Sequence, residues 1–225
     1  MSRIAAWAAC SLLVACAVSA CGGASSNGVA SKSANGIVTA AIDAIDGANS
    51  AHISGSLVSD GDPVSLNLDL VSGKGGRGEM SQGGLSFRIE VVGGEVYING
   101  SEAFWNHFGG QGAEQLLNGK WLKAPASGQF ASLAQLSNLH LLLGTLLTTH
   151  GALVKAGTST VDGQSAVAVR DTAKDATLYV ATTGPPYPLE IDKIGSQAGR
   201  IRLSGFNESV SLTAPRDAID ISKLR

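Results

Sequence analysis

Val64-Ser65-Leu66-Asn67-Leu68-Asp69-Leu70 alternates apolar and polar residues without a break, and Leu85-Ser86-Phe87-Arg88-Ile89-Glu90-Val91 repeats the pattern. A period of two puts every second side chain on one face, so each run reads as a half-buried antiparallel strand. Asp60-Gly61 and Gly93-Gly94 supply the hairpin turns between such runs. The segment Ala51–Asn99 is therefore expected to be a meander of four or five strands. After Gly151 the pattern returns. Ala152–Val161, Gln164–Arg170, Ala176–Ala181, Tyr187–Ile194, Ala198–Phe206 and Ser209–Leu212 are candidate strands, with Asp162-Gly163 as a hairpin turn.

Outside these runs the period lengthens. Ile37, Val38, Ala41, Ile42 and Ile45 fall on one stripe of a helix over Asn35–Ala48, with Thr39, Asp43 and Asp46 opposite. A short helix is expected around Glu114–Leu117. Phe130–Thr149 is rich in leucine and interrupted by Gln135, Asn138 and His140, which reads as one or two helices broken near Gly144. Helices segregated from strands in sequence indicate α+β architecture with an antiparallel sheet of about ten strands. A helix apolar on most of its circumference must be buried or face something apolar. A sheet meeting such helices through Ala, Gly and Ser leaves either an apolar cavity or a fully packed core.

The amino terminus carries an address. Arg3 is the only charge in the first 31 residues and precedes an apolar run from Ile4 to Val18. That is the layout of a secretory signal over residues 1–20, and the run is short for a transmembrane helix. Val18-Ser19-Ala20-Cys21 matches the bacterial lipobox, in which the cysteine is acylated and becomes the new amino terminus. A Gly/Ser/Asn-rich stretch, residues 21–34, follows as a tether, and residues 35–225 form the domain. Cys10 and Cys16 leave with the signal, so Cys21 is the one cysteine of the processed chain. Neither an internal disulfide nor a cysteine-based zinc site is expected.

Composition excludes other classes. Sixteen Lys and Arg against 18 Asp and Glu give a net charge of -2, with no basic excess for nucleic acid. Gly73-Lys74-Gly75-Gly76-Arg77-Gly78 matches a dinucleotide fingerprint literally, but no helix follows to receive a pyrophosphate, so it reads as a hairpin loop. His52, His107, His140 and His150 show no helical metal-ligand spacing, and no serine sits in a strained-turn context. No cofactor, metal or catalytic residue is expected. Trp105 and Trp121, with Phe104 and Phe108, read as a small satellite core under a loop; a sugar-binding platform is the alternative.

The order of lipobox, linker, helix, meander, Leu-rich insert and second meander resembles the LppX/LprG group of mycobacterial and other actinobacterial lipoproteins. Tyr179-Val180, Pro188-Leu189-Glu190-Ile191, Phe206-Asn207 and Val210-Ser211-Leu212-Thr213-Ala214-Pro215 are the stretches that carry the resemblance. The resemblance implies a curved antiparallel half-barrel sheet with helices on its concave face. It implies an apolar cavity that binds acylated lipids or glycolipids and assists their transfer toward the outer envelope, without enzymatic residues. It implies acylation of Cys21. The lipobox places the processed chain on the outer face of the cell membrane, nothing in the sequence calls for more than a monomer, and a lipid transporter is the expected partner. On this reading the candidate lining is Leu136, Leu139, Leu143 and Leu147 from the helices, with Leu66, Leu68, Phe87, Ile89, Leu189 and Ile191 from the sheet. Leu143→Trp is then expected to block lipid uptake without unfolding the protein. The alternatives are a non-catalytic envelope scaffold with a packed core, or a carrier that hands over lipoproteins.

Overall fold

The computed structural model describes residues 25–223; Cys21 and the signal segment lie outside the described residues. The chain enters as a docked strand-like segment rather than a free tether. Asn27 donates its side-chain amide to the carbonyls of Ala181 and Gly184, Ser26 bridges Thr183, and Val29 is buried in the core. The stretch read as a linker to residue 34 is thus docked on the domain through Ser26, Asn27 and Val29, because Val29 gains apolar burial and Asn27 satisfies two carbonyls.

Helix α1 (Ala34–Asp46) begins where Ser33 Oγ accepts the Gly36 N–H at 3.2 Å, and it buries Ile37, Val38, Ala41 and Ile45. Five antiparallel strands follow: β1 (Ser50–Ser59), β2 (Asp62–Val71), β3 (Gly75–Gln82), β4 (Leu85–Val92) and β5 (Glu95–Gly100). The glycine fingerprint supplies the β2–β3 hairpin turn at Gly73-Lys74, as expected, and then runs on into strand β3 from Gly75. A side chain at Gly78 would collide with the Asn67 carbonyl across the β2–β3 ladder. Helix α2 (Glu102–Leu117) is capped by Ser101 and interrupted at Gly110. Strand β6 (Leu122–Pro125) returns to the sheet beside β5.

The Leu-rich insert gives α3 (Ala131–Gln135) and α4 (Leu139–Thr148). The break falls at Asn138, not at Gly144, because Asn138 Oδ1 accepts the Leu141 N–H and starts α4, which then runs through Gly144. The second meander contains β7 (Leu153–Val161), β8 (Gln164–Asp171), β9 (Ala176–Ala181), β10 (Pro188–Lys193) and β11 (Gly199–Ser204). Residues 209–212 form no strand. They belong to a strap that runs from β11 to the far edge, and on the way Thr213 N–H is held by Glu90 Oε1 of β4 at 2.6 Å. The strap ends in β12 (Ile219–Asp220), which pairs parallel with β6.

The architecture is α+β, with one open sheet of 12 strands and four α-helices among the described residues. The strand count exceeds the expected ten because β6 and β12 are too short to show a period. The spatial order is β12-β6-β5-β4-β3-β2-β1-β11-β10-β9-β8-β7. The two meanders therefore meet at β1 and β11. Their registers run on across the seam: Ile53, Leu68, Gly78, Ile89 and Ile98 share one rung, and Val169, Leu178, Ile191, Ile201 and Gly55 another. All face the side covered by α1, α2 and α4, which together with the sheet build one hydrophobic core. Each fully buried Leu or Ile there contributes about 1.5–3 kcal/mol.

Candidate functional site

The cavity with the most apolar walls lies at the β7–β10 end of the sheet, under α1 and the last turn of α4. Its volume is about 330 Å³. Two sheet rungs make its floor. Val169, Leu178 and Ile191 stand directly opposite one another, and on the next rung Leu153, Asp171, Ala176 and Lys193 do the same. Val38 comes from α1, and Leu146, Leu147 and Thr145 come from α4. Helix geometry explains the split along α4. Leu139, Leu143 and Leu147 recur at four-residue intervals and face the core, while Leu146 lies to one side and closes the cavity. Leu146 remains 43% exposed, so the enclosure is open at this edge.

Polar groups ring the opening: Thr149, His150, Asp171, Lys174 and Lys193. Lys174 Nζ donates to the Thr149 carbonyl at 2.8 Å, tying the β8–β9 turn to the end of α4. Lys193 Nζ donates to Gln197 Oε1 at 2.7 Å. Asp171 is buried and accepts N–H bonds from Gly151, Ala173 and Lys174. Burial pushes its carboxyl pKa up, but these three backbone donors and the Lys174 charge outweigh burial and hold it below the ordinary value. Its charge is satisfied locally, and it anchors the turn.

The residues expected to line a cavity are distributed differently. Leu147 and Ile191 do line it. Leu68, Ile89, Leu139 and Leu143 are packed into the core instead, with Leu143 fully buried. Leu66 and Phe87 line a separate, more polar opening of about 640 Å³ beside Met80, Ser81 and Asn99. Leu136 is half-buried at the end of α3. Leu189 belongs to a small cluster with Val161, Ala166 and Ala181 rather than to the main core. The register slips between Pro188 and Glu190, so counting by twos from Ile191 fails at Leu189. Val38, Leu146, Leu153, Val169 and Leu178 were missed as lining. Val169 and Leu178 could have been found from Ile191 once the β8–β9–β10 pairing was known, a fact that sequence periodicity alone does not supply.

The aromatic group is not a satellite. Phe104 and Trp105 of α2 are buried in the main core, and Phe104 contacts Phe87 and Phe108. Trp121 is covered by the Arg88 guanidinium at 5.4 Å, so Trp105 and Trp121 form no shared platform for a sugar. On the outer face, His52 Nδ1 lies 2.8 Å from Asp69 Oδ1, with Arg77 on the same carboxylate. No Ser, Thr or Cys joins this pair among the described hydrogen bonds. No group of three or more His, Cys, Asp or Glu could hold a metal among the described residues.

No family model and no curated protein matches this chain. Solved structures do match it, and two of them are mycobacterial proteins. LprF from Mycobacterium bovis superposes with a TM-score of 0.57 at 15% identity, covering 81% of this chain and 96% of that one. Mycobacterium tuberculosis lipoprotein LppX gives 0.51 at 20% identity, covering 80% and 98%. The chain has the LppX/LprG fold. At these identities the likeness extends to the path of the backbone, while the cavity walls are this chain's own. No helix among the described residues is long and apolar enough to cross a membrane.

Proposed function

We propose that this protein is a membrane-anchored envelope lipoprotein that holds an acylated lipid or glycolipid in its apolar cavity and assists its transfer toward the outer envelope. The observation that carries the reading is the cavity under α1 and α4, whose walls are Val38, Leu147, Leu153, Val169, Leu178 and Ile191. A sixteen-carbon chain costs roughly 13 kcal/mol to expose to water, at ~0.8 kcal/mol per CH₂. Crossing an aqueous gap therefore calls for an apolar enclosure rather than a catalyst. In this proposal the open sheet acts as a curved half-barrel with its helices on the concave face. Acylated Cys21 holds the domain on the outer face of the cell membrane, the protein works as a monomer, and a lipid transporter supplies or receives the cargo. That LppX, which shares this fold, is a lipoprotein supports this reading.

A packed scaffold is the second reading, and the burial of Leu68, Ile89, Leu139 and Leu143 favours it. Native mass spectrometry separates the two. The chain lacking Cys21 is purified from an actinobacterial host and from a host without actinobacterial lipids. Discrete added masses that extract as acylated species are expected from the first host. A bare protein mass from both, with no uptake of added glycolipid, would leave the scaffold.

A further inference from the structure

We infer that the cavity under α1 and α4 selects a lipid with one acyl chain and an anionic head, the chain entering between Leu146 and Ile191 and the head resting on Lys174 and Lys193. This deepens the lipid-binding proposal and rests on it. Two observations carry it. The first is capacity. A volume of about 330 Å³ stands at the low end of the ~300–1,000 Å³ that encloses one small molecule, and leaves no room for the several chains of a glycolipid.

The second is charge at the opening. Lys174 and Lys193 both line it, and each ammonium uses one donor on a protein oxygen, which leaves two for a ligand. The acidic group at the same opening, Asp171, is already committed to three backbone N–H groups. Asp171 and Lys193 share a rung two strands apart, with Ala176 between them, and Lys193 turns to Gln197 rather than forming an ion pair with Asp171. The nearby carboxylates of Asp175 and Asp192 are turned to Arg170 and Arg200. Two lysines thus face the mouth of an apolar slot with no carboxylate in ion-pair contact among the described residues, although Lys174 lies in the field of Asp171, and this layout receives a carboxylate or phosphate on the end of a hydrocarbon chain.

The test uses the chain lacking Cys21 and four lipids below their aggregation limits: palmitate, lysophosphatidylglycerol, neutral monopalmitoylglycerol and dipalmitoylphosphatidylglycerol. Affinities are read by native mass spectrometry. At least tenfold tighter binding of palmitate or lysophosphatidylglycerol than of monopalmitoylglycerol is expected. That gap should shrink to about threefold or less in Lys174→Gln/Lys193→Gln, and stay open in Lys193→Arg. Thermal melts accompany each variant, and Lys193→Gln alone serves if loss of the Lys174–Thr149 bond loosens the turn. A preference for palmitate names a carboxylate head, and one for the lysolipid names a phosphate. Equal binding of the three single-chain lipids overturns the charge selection while the lipid-binding proposal stands. Tighter binding of the two-chain lipid overturns the one-chain capacity and again leaves that proposal standing. Binding of none of the four overturns both.

Discussion

Placing a tryptophan at Ile191 and at Leu143 should separate cavity from core. Leu143 is fully buried among packed side chains, whereas Ile191 is half-buried and faces empty volume between Val169, Leu178 and α4. Leu143→Trp overpacks the core at about 1–3 kcal/mol, and a protein of this size loses about 2–4 °C per kcal/mol, so its Tm falls by about 2–12 °C. Lipid binding, measured on the folded fraction, should persist, because Leu143 does not line the cavity. The indole of Ile191→Trp instead enters the void, and its Tm should stay within about 2 °C, as expected for a change near ±0.5 kcal/mol. A ring that takes the space of about four methylenes removes ~3 kcal/mol from a bound chain at ~0.8 per CH₂, or ~200-fold in Kd. The assay is titration with palmitate, read by native mass spectrometry, beside calorimetric melts. Undiminished binding in Ile191→Trp, or lost binding with an unchanged Tm in Leu143→Trp, would refute this placement of the cavity. The uptake block expected of Leu143→Trp from the sequence thus moves to Ile191.

Three further outcomes are expected. Gly55 sits at φ 144° against the Arg200 carbonyl at the β1–β11 seam, where a side chain has no space; Gly55→Ala should cost at least ~3 kcal/mol and lower the Tm by about 6–12 °C, and an unchanged melt would show that the seam can shift. Asp171→Asn should cost about 1–3 kcal/mol at pH 7 by weakening a buried acceptor of three N–H groups. Because the folded carboxyl pKa is lowered, that stabilisation is complete above the ordinary value of 3.8 and is lost as pH falls below it through the folded value. Urea unfolding at pH 7 and pH 3 should therefore show a gap between wild type and variant that narrows in acid; a gap of equal size would contradict the lowered pKa. Cys21→Ser should move the protein from the membrane to the soluble fraction on cell fractionation, and retention at the membrane would remove the lipobox from the proposal.

The sequence by itself determined the local elements that declare their own period. The runs 64–70 and 85–91 became β2 and β4, and the stripe from Ile37 to Ile45 became the buried face of α1, because apolar alternation specifies a surface whatever it packs on. It also determined the α+β segregation and the backbone resemblance to mycobacterial lipoproteins. Short elements held by distant partners escaped it. Strand β12 exists through its pairing with β6, and the Ser209–Leu212 alternation yields to a strap that Glu90 holds. The cavity was the least legible feature. Leu139, Leu143, Leu146 and Leu147 are the same residue type within one helix, yet Leu139 and Leu143 pack wholly into the core, Leu147 stands between core and cavity, and Leu146 closes the opening at its edge. Composition says that such leucines avoid water. Only the rotation of α4 over the sheet, and the register that sets Val169, Leu178 and Ile191 side by side, decide which of them leaves space for a guest.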